Sequence, residues 1–187
     1  NLSDDTFTVL IAGGSRGART INNAMIDVHK HFQGTKGIKL IHITGDGEYK
    51  SVLSQLGITD GNGLGDSSVI LPYLHDMPKA LAAADLAVFR SGAIGLAELA
   101  VRGIPSVLVP YPYAAEDHQT YNARIFVQEG AAHMIVDQML SAHDLIGEIE
   151  MFMANRDLLS QMGERALQLG KPNAAHDIAK LALSIAK

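Results

Sequence analysis

The stretch TVLIAGGSRGAR, residues 8–19, decides the fold class of this 187-residue chain. Its first five residues are apolar or β-branched and predict a buried strand, which the glycine pair at 13–14 ends. A helix is predicted over residues 18–32, because apolar side chains recur there at helical spacing: Ile21, Met25, Val28 and Phe32. A buried strand, a glycine turn and an amphipathic helix indicate the first unit of a helix-covered sheet.

The same alternation of strand and helix patterns continues through the chain. Further strands are predicted over residues 39–44, 69–71, 86–89, 106–109 and 133–136, and the helices between them over residues 49–56, 77–84, 92–101 and 119–128. We therefore expect a doubly wound, Rossmann-like α/β domain with a six-stranded parallel sheet. An all-helical tail follows, which would cap the sheet or dock against another domain: residues 142–153, 157–169 and 173–186.

The composition excludes several classes of protein. A net charge of −5 disfavours nucleic acid as a partner. The chain has no cysteine, which excludes disulfide scaffolds and thiolate metal sites, and no apolar run long enough to span a bilayer. It begins with Asn1 and lacks a basic and then apolar leader, so we interpret residues 1–187 as one domain cut from a longer protein.

The first candidate loop is GGSRGAR, residues 13–19. Ligands of an open parallel sheet bind beyond the carboxyl ends of its strands, which is where this loop lies. Glycines let the backbone approach a ligand, and free N–H groups at a helix start attract a phosphate. The spacing is neither the GxGxxG of dinucleotide-binding folds nor that of a P-loop, and a tight turn without a ligand is the alternative.

The second candidate loop leads into the fourth predicted helix, which Ser91 or Gly92 would cap. Glu98 is the only charged residue of that helix and lies two turns after Ser91 on the same face. A diphosphate at the helix start would leave a ribose near this carboxylate, which can accept hydrogen bonds from both ribose hydroxyls. The alternative is a structural ion pair of Glu98 with Arg90 or Arg102.

The third candidate loop is PYPYAAEDHQTYNA, residues 110–123. Asp117 can cap the helix that follows, and His118, Gln119 and Asn122 would lie near its first turn. Such neutral hydrogen-bonding groups suit a polyhydroxyl ligand better than acid–base chemistry. A solvated helix start is the alternative.

Metal and cofactor sites are not expected. The eight histidines form no metal-ligand pattern, and the chain has no Asp-x-Asp motif. If a nucleotide sugar binds, backbone N–H groups and helix starts must therefore stabilise its diphosphate.

Four segments follow one another along the chain and are considered together. They are GGSRGAR at 13–19, YLHDM at 73–77, RSGA at 90–93 with Glu98, and HQ at 118–119 with NA at 122–123. Together they resemble the carboxy-terminal half of the MurG family of UDP-N-acetylglucosamine transferases, which complete lipid II for peptidoglycan. The resemblance extends over roughly the whole chain. It implies the carboxy-terminal, UDP-GlcNAc-binding domain of a GT-B type glycosyltransferase.

The resemblance also implies the donor-binding residues, which are Gly14, Ser15, Leu74, Met77, Arg90, Ser91, Gly92, Ala93, Ile94, Glu98, His118 and Gln119. In the family, the Gly-rich loop and the start of the fourth helix meet the diphosphate. Leu74 and Met77 border uracil, and the backbone of Leu74 reads the base edge. Glu98 holds the ribose hydroxyls, while His118 and Gln119 face the sugar.

The rest of the catalytic apparatus is expected in an amino-terminal half that these residues do not include. That half would carry the acceptor site for the lipid-linked muramyl-pentapeptide, the general base and a membrane-facing apolar patch. The resemblance implies an inverting, metal-independent enzyme at the cytoplasmic face of the bacterial plasma membrane, peripherally bound. We expect this chain alone to bind donor without catalysing transfer, and the helix at 173–186 to pack across the other half.

Other functions remain as alternatives. A nicotinamide dinucleotide-binding domain is disfavoured by the glycine spacing and by Thr44-Gly45, where an acidic residue would end the second strand. A UDP-GlcNAc epimerase and a diacylglycerol glycosyltransferase would share the donor-binding logic. A non-enzymatic binding module is the fourth possibility.

Overall fold

A computed structural model of the chain describes residues 5–14 and 18–186. The strands are β1 (Phe7–Ala12), β2 (Ile38–Ile43), β3 (Ser68–Leu71), β4 (Leu86–Phe89), β5 (Ser106–Leu108) and β6 (Ala132–Met134). The helices are α1 (Arg19–Phe32), α2 (Asp46–Leu56), α3 (Met77–Ala83), α4 (Ala93–Arg102), α5 (His118–Gln128), α6 (Ala142–Ala154), α7 (Arg156–Leu169) and α8 (Ala174–Ile185). Two 3₁₀ turns, Ala115–Asp117 and Asp137–Met139, were not predicted.

The described residues form one parallel sheet in the order β3-β2-β1-β4-β5-β6, with β1 between β2 and β4. Alternate residues of β1 face opposite layers. Val9 and Ile11 pack in a core with α1, α6 and α7, whereas Leu10 and Ala12 pack in a second core with α3, α4 and α5. Both faces of the sheet are covered, so the predicted doubly wound α/β fold is confirmed.

The predicted strands and helices all occur, with ends that differ by a few residues. Helix α2 begins at Asp46 rather than at residue 49, because Gly45 adopts φ +82° and Asp46 and Glu48 supply the acidic first turn that helix starts favour. Strand β6 ends at Met134 rather than at residue 136, because its neighbour β5 ends at Leu108.

The carboxy-terminal tail divides into two parts. Helix α6 buries Leu145, Ile149 and Phe152 against α1, and α7 lies across α4, so these two helices cap the sheet. A Cβ on Gly163 of α7 would lie 2.7 Å from the backbone oxygen of Gly103, which shows how closely α7 approaches the end of α4. Helix α8 has no buried residue among those that the structure describes.

Across residues 5–14 and 18–186, none of the helices combines the length and the hydropathy that a bilayer-spanning segment needs.

Candidate functional site

The candidate site lies at the carboxyl edge of the sheet between β1 and β4. The chain leaves β1 toward β2 on one side and leaves β4 toward β5 on the other, so a crevice opens between the two loops. Both loops lead directly into helices, α1 and α4. Among the described residues, neither helix start has a side-chain cap, so backbone N–H groups of both first turns face this edge without a side-chain acceptor from those residues.

The first loop enters this crevice from β1. Gly14 is exposed and adopts φ +83°, a left-handed conformation that glycine reaches without strain, so the predicted tight glycine turn is present. The predicted phosphate contact at Ser15 lies outside the described residues. Helix α1 then begins at Arg19.

Glu98 lies half-buried on α4, one and a half turns inside the helix start at Ala93. No residue that the structure describes forms a hydrogen bond or an ion pair with its carboxylate. The alternative ion pair with Arg90 is not formed, because Asp137 takes that guanidinium. A half-buried carboxylate without a protein partner is available to a ligand at the crevice.

Arg90 is held by protein groups. Its side chain is 9% exposed, and Nη1 donates to the backbone oxygens of Val109 and Pro110, both at 3.1 Å, and to the Asp137 carboxylate. The other Asp137 oxygen accepts the Thr20 hydroxyl at 3.0 Å. Sequence reasoning missed Asp137, because nothing in a lone acidic residue after the last strand indicates partners 117 and 47 residues away.

Two hydrogen bonds join the loop after β4 to the start of α5, and a third joins the loop after β5 to the same helix start. Ser91 Oγ donates to the backbone oxygen of Gln119 at 2.8 Å, and Asn122 Nδ2 donates to the backbone oxygen of Ser91 at 3.1 Å. The Gln119 side-chain oxygen accepts the Tyr111 N–H at 3.0 Å. Ser91 therefore does not cap α4, because its hydroxyl is used across the loop, and Gly92 occupies the cap position.

His118 stands at the end of a strained turn. Glu116 and Asp117 adopt φ +52° and +54°, which costs non-glycine residues about 1–2 kcal/mol each. Asp117 occupies the predicted cap position of α5, but its carboxylate accepts the Thr120 hydroxyl at 2.6 Å instead of a backbone N–H. His118 Nδ1 donates to the backbone oxygen of Ala115 at 2.8 Å, which leaves Nε2 of this exposed ring free to accept a hydrogen bond.

Leu74 lies in the connection from β3 to α3 and Met77 begins α3, both on the same face of the sheet as α4. Both are half-buried and pack against the core of that face. Tyr73 is 54% exposed, and its ring meets the His75 ring edge-on with centroids 4.9 Å apart. The predicted base-binding residues therefore share the carboxyl edge with the two uncapped helix starts.

A chain of hydrogen bonds that the sequence did not indicate crosses the buried layer beneath this edge. His29 Nε2 lies 3.1 Å from His42 Nδ1, and His42 Nε2 lies 3.0 Å from the Asn22 side-chain oxygen. Asn22 Nδ2 donates to the backbone oxygen of Thr44 at 3.0 Å, and Ser68 Oγ lies 2.9 Å from His29 Nδ1. Because the Asn22 amide nitrogen is used at Thr44, its oxygen must accept, and both imidazoles are neutral with Nε2 protonated.

Burial sets the protonation state of these two histidines. It lowers the pKa of His29 from 6.5 to about 4, and burial together with His29 lowers the pKa of His42 well below its ordinary value. At the surface, the hydrogen bond that His133 Nδ1 donates to the Glu148 carboxylate raises the pKa of His133. Within the described residues, no three His, Asp or Glu side chains are grouped to hold a metal ion.

A groove of about 920 Å³ lies at the opposite, amino-terminal edge of the sheet, between residues 33–39 and 63–67. Its volume exceeds those of four other cavities of the domain, but the switch in strand order and the uncapped starts of α1 and α4 lie at the other edge. We therefore place the candidate site at the carboxyl edge, where the crevice is open on one side.

The chain is similar to known proteins along its whole length. A family model described as the glycosyltransferase family 28 C-terminal domain matches residues 8–181. A UDP-N-acetylglucosamine–N-acetylmuramyl-(pentapeptide) pyrophosphoryl-undecaprenol N-acetylglucosamine transferase from Desulforamulus reducens is 41% identical over 183 residues, 96% of this chain and 48% of that protein. The protein of the same name from Bacillus subtilis is 42% identical over 174 residues, 93% of this chain and 47% of its own. The chain spans about half the length of the curated relatives it matches.

Solved structures resemble this fold. The crystal structure of MurG from Acinetobacter baumannii has a TM-score of 0.82 and 28% identity, and the match covers 99% of this chain and 54% of that one. The structure of MnaA from S. aureus with UDP has a TM-score of 0.71 over 97% of this chain and 47% of that one. Its identity is 13%, so it supports the fold alone.

Proposed function

The chain belongs to the glycosyltransferase family 28 C-terminal domain family, and on that premise we propose that it is the donor-binding half of a UDP-N-acetylglucosamine transferase. The observation that carries this proposal is the half-buried Glu98 carboxylate, without a partner among the described residues, on the helix whose uncapped start faces the crevice. The names of its relatives supply the sugar and the acceptor class.

The diphosphate would lie between the starts of α1 and α4. Gly14 gives the backbone room to approach it, and the N–H groups at Ala93 and Ile94 would donate to phosphate oxygens. The positive ends of both helix dipoles add to this attraction, so the leaving group needs no metal in this arrangement. Ser15 is proposed as a further hydroxyl donor on the first loop.

The nucleoside would extend from the diphosphate toward α3. The Glu98 carboxylate would accept both ribose hydroxyls, since it lies on α4 beyond the phosphate-binding first turn. The backbone of Leu74 would read the edge of uracil, and Met77 would border the base from the start of α3.

The sugar would face the start of α5. His118 offers Nε2 as an acceptor, and Gln119 keeps its side-chain nitrogen for a sugar hydroxyl while its oxygen holds Tyr111. Ser91 and Gly92 would line the site between the sugar and the phosphate. The Ser91 hydroxyl and backbone oxygen both form hydrogen bonds with α5, which hold this loop against the sugar-binding helix start.

In the whole enzyme, a hydroxyl of the lipid-linked muramyl-pentapeptide would attack the anomeric carbon while UDP leaves, with inversion at that carbon. Positioning and stabilisation of the leaving diphosphate are the contributions of this half. The general base and the acceptor site would come from the other half, so the chain alone would bind donor without transferring sugar. The whole enzyme would sit at the cytoplasmic face of the plasma membrane as a peripheral protein.

Calorimetric titration of the purified domain tests this proposal. UDP and UDP-GlcNAc should bind, UDP-galactose should bind no more tightly than UDP-GlcNAc, and NAD should not bind. Binding of NAD without binding of UDP would contradict the proposal and support a dinucleotide-binding domain.

A further inference from the structure

We propose that Asp137 is a positioning residue of the donor site, an inference that rests on the proposed function. Its carboxylate is 12% exposed and serves two separate segments of the chain. One oxygen pairs with Arg90, directly before the loop into α4, and the other accepts the hydroxyl of Thr20 in the first turn of α1 at 3.0 Å. One side chain therefore joins the two helix starts between which the diphosphate would lie.

The contacts of Arg90 extend this connection to a third loop. Its Nη1 also donates to the backbone oxygens of Val109 and Pro110, and its guanidinium lies 5.6 Å from the centroid of the Tyr111 ring. The exit from β5, the start of α4 and the start of α1 are thus fixed relative to one another by a single ion pair. Since hydrogen bonds to a phosphate need donors placed within a few tenths of an ångström, the spacing of these loops determines how well UDP is bound.

The charges of Asp137 and Arg90 also affect how the site would bind a diphosphate. An unpaired buried carboxylate behind the crevice would repel a diphosphate, but the Arg90 guanidinium neutralises it. In turn, Arg90 Nη1 donates to three protein acceptors, so we assign Arg90 the same positioning role.

Two variants test the inference, Asp137→Asn and Thr20→Val. Asp137→Asn removes the ion pair, while Thr20→Val removes only the hydroxyl bond and keeps the Arg90 pair and the side-chain volume. Affinity for UDP and for uridine is measured by NMR titration, and folding by the dispersion of the same spectra. We expect UDP to bind about tenfold more weakly to Asp137→Asn and about threefold more weakly to Thr20→Val, with uridine affinity unchanged within about twofold.

Asp85→Asn is the matched control. Like Asp137, Asp85 connects two parts of the chain: its carboxylate accepts the Thr8 N–H at 2.7 Å and is 3.6 Å from the Arg156 guanidinium. Unlike Asp137, Asp85 is at the opposite edge of the sheet. This variant should lose stability and keep its affinity for UDP. A general loss of structure would weaken UDP and uridine alike, whereas a positioning role weakens only the ligand that carries the diphosphate.

The outcomes separate the two proposals. Unchanged UDP affinity in both variants, or an equal loss for UDP and uridine, would overturn the role of Asp137 alone. If Asp137→Asn does not fold, Thr20→Val decides by the same comparison. A wild-type domain that binds no UDP would overturn the proposed function and this inference with it.

Discussion

The Glu98 carboxylate lies half-buried within α4, a helix whose other charged residue is Arg102 at its end, and has no hydrogen-bond partner among the described residues. Keeping a charged group in such a place costs free energy unless a ligand satisfies it. Side chains of this kind are more often explained by what they bind than by what they stabilise.

Replacing Glu98 by Ala should therefore weaken UDP binding by about 1–3 kcal/mol, the size of charged hydrogen bonds to the ribose. The variant should be no less stable than the wild type, since it loses no protein contact that the structure describes. Calorimetry with UDP and thermal unfolding measure the two quantities. Glu164→Ala, an exposed glutamate on α7, is the control and should bind UDP like the wild type. Equal affinities of Glu98→Ala and wild type would contradict the ribose role.

Some residues of the site could be predicted from the sequence and others could not. Glu98 could be identified because it is the lone charge of the predicted helix at 92–101, and Gly14 because a turn between strand and helix needs it. Asp137 and the pair His29–His42 could not, since their partners are distant in sequence and periodicity carries no information on which polar groups meet. The sequence left the cap of α4 open between Ser91 and Gly92, and the structure places Gly92 there.

At the scale of elements, the last two helices of the chain contrast with each other. Helix α7 buries Leu159, Met162, Gly163 and Ala166, whereas α8 buries no described residue and exposes an apolar set: Ile178, Leu181, Leu183 and Ile185. Apolar periodicity predicted both helices correctly. It could not tell which apolar face is covered within this chain, and packing of α8 across the other half of the enzyme stays a prediction.

Deleting residues 173–187 should leave the free energy of unfolding unchanged within about 0.5 kcal/mol, because no described residue of α8 is buried in this domain. Urea unfolding of the shortened and full chains measures this. Gly163→Ala is the positive control, because its new Cβ would meet the Gly103 backbone oxygen at 2.7 Å and should cost about 1–3 kcal/mol. A large loss of stability on deletion would show that α8 packs on this domain after all.

At the scale of the whole molecule, the hydrogen-bond chain from Ser68 to Thr44 connects α1, β2 and β3 through two neutral imidazoles. In the unfolded chain both histidines have a pKa near 6.5. In the folded chain the pKa of His29 is about 4, and the pKa of His42 lies well below 6.5. Folding is therefore favoured at neutral pH and opposed by protons below it.

Stability should fall as the pH is lowered from about 6.5 toward 4, and His29 alone should account for about 3 kcal/mol of the loss. His133 acts in the opposite sense, because its raised pKa adds stability that is present below pH 6.5 and lost as the pH rises through its folded-state pKa. Urea unfolding at several pH values tests the slope, and His143→Gln, at an exposed histidine, should keep it. Imidazole NMR signals of His29 and His42 that titrate near pH 6.5 in the folded domain would contradict this account.

The order of strands has a consequence for the way the polypeptide reaches this structure. Within this domain, β1 precedes the other strands in sequence but forms the middle of the sheet, and its Thr8 N–H bonds to Asp85, 77 residues further on. Neither apolar face of β1 can be fully covered until β4 and its helix have been synthesised, since the two cores form around that strand pair. Such long-range pairing slows folding, and the nascent domain must keep the apolar strand β1 from aggregating until its partners have been synthesised.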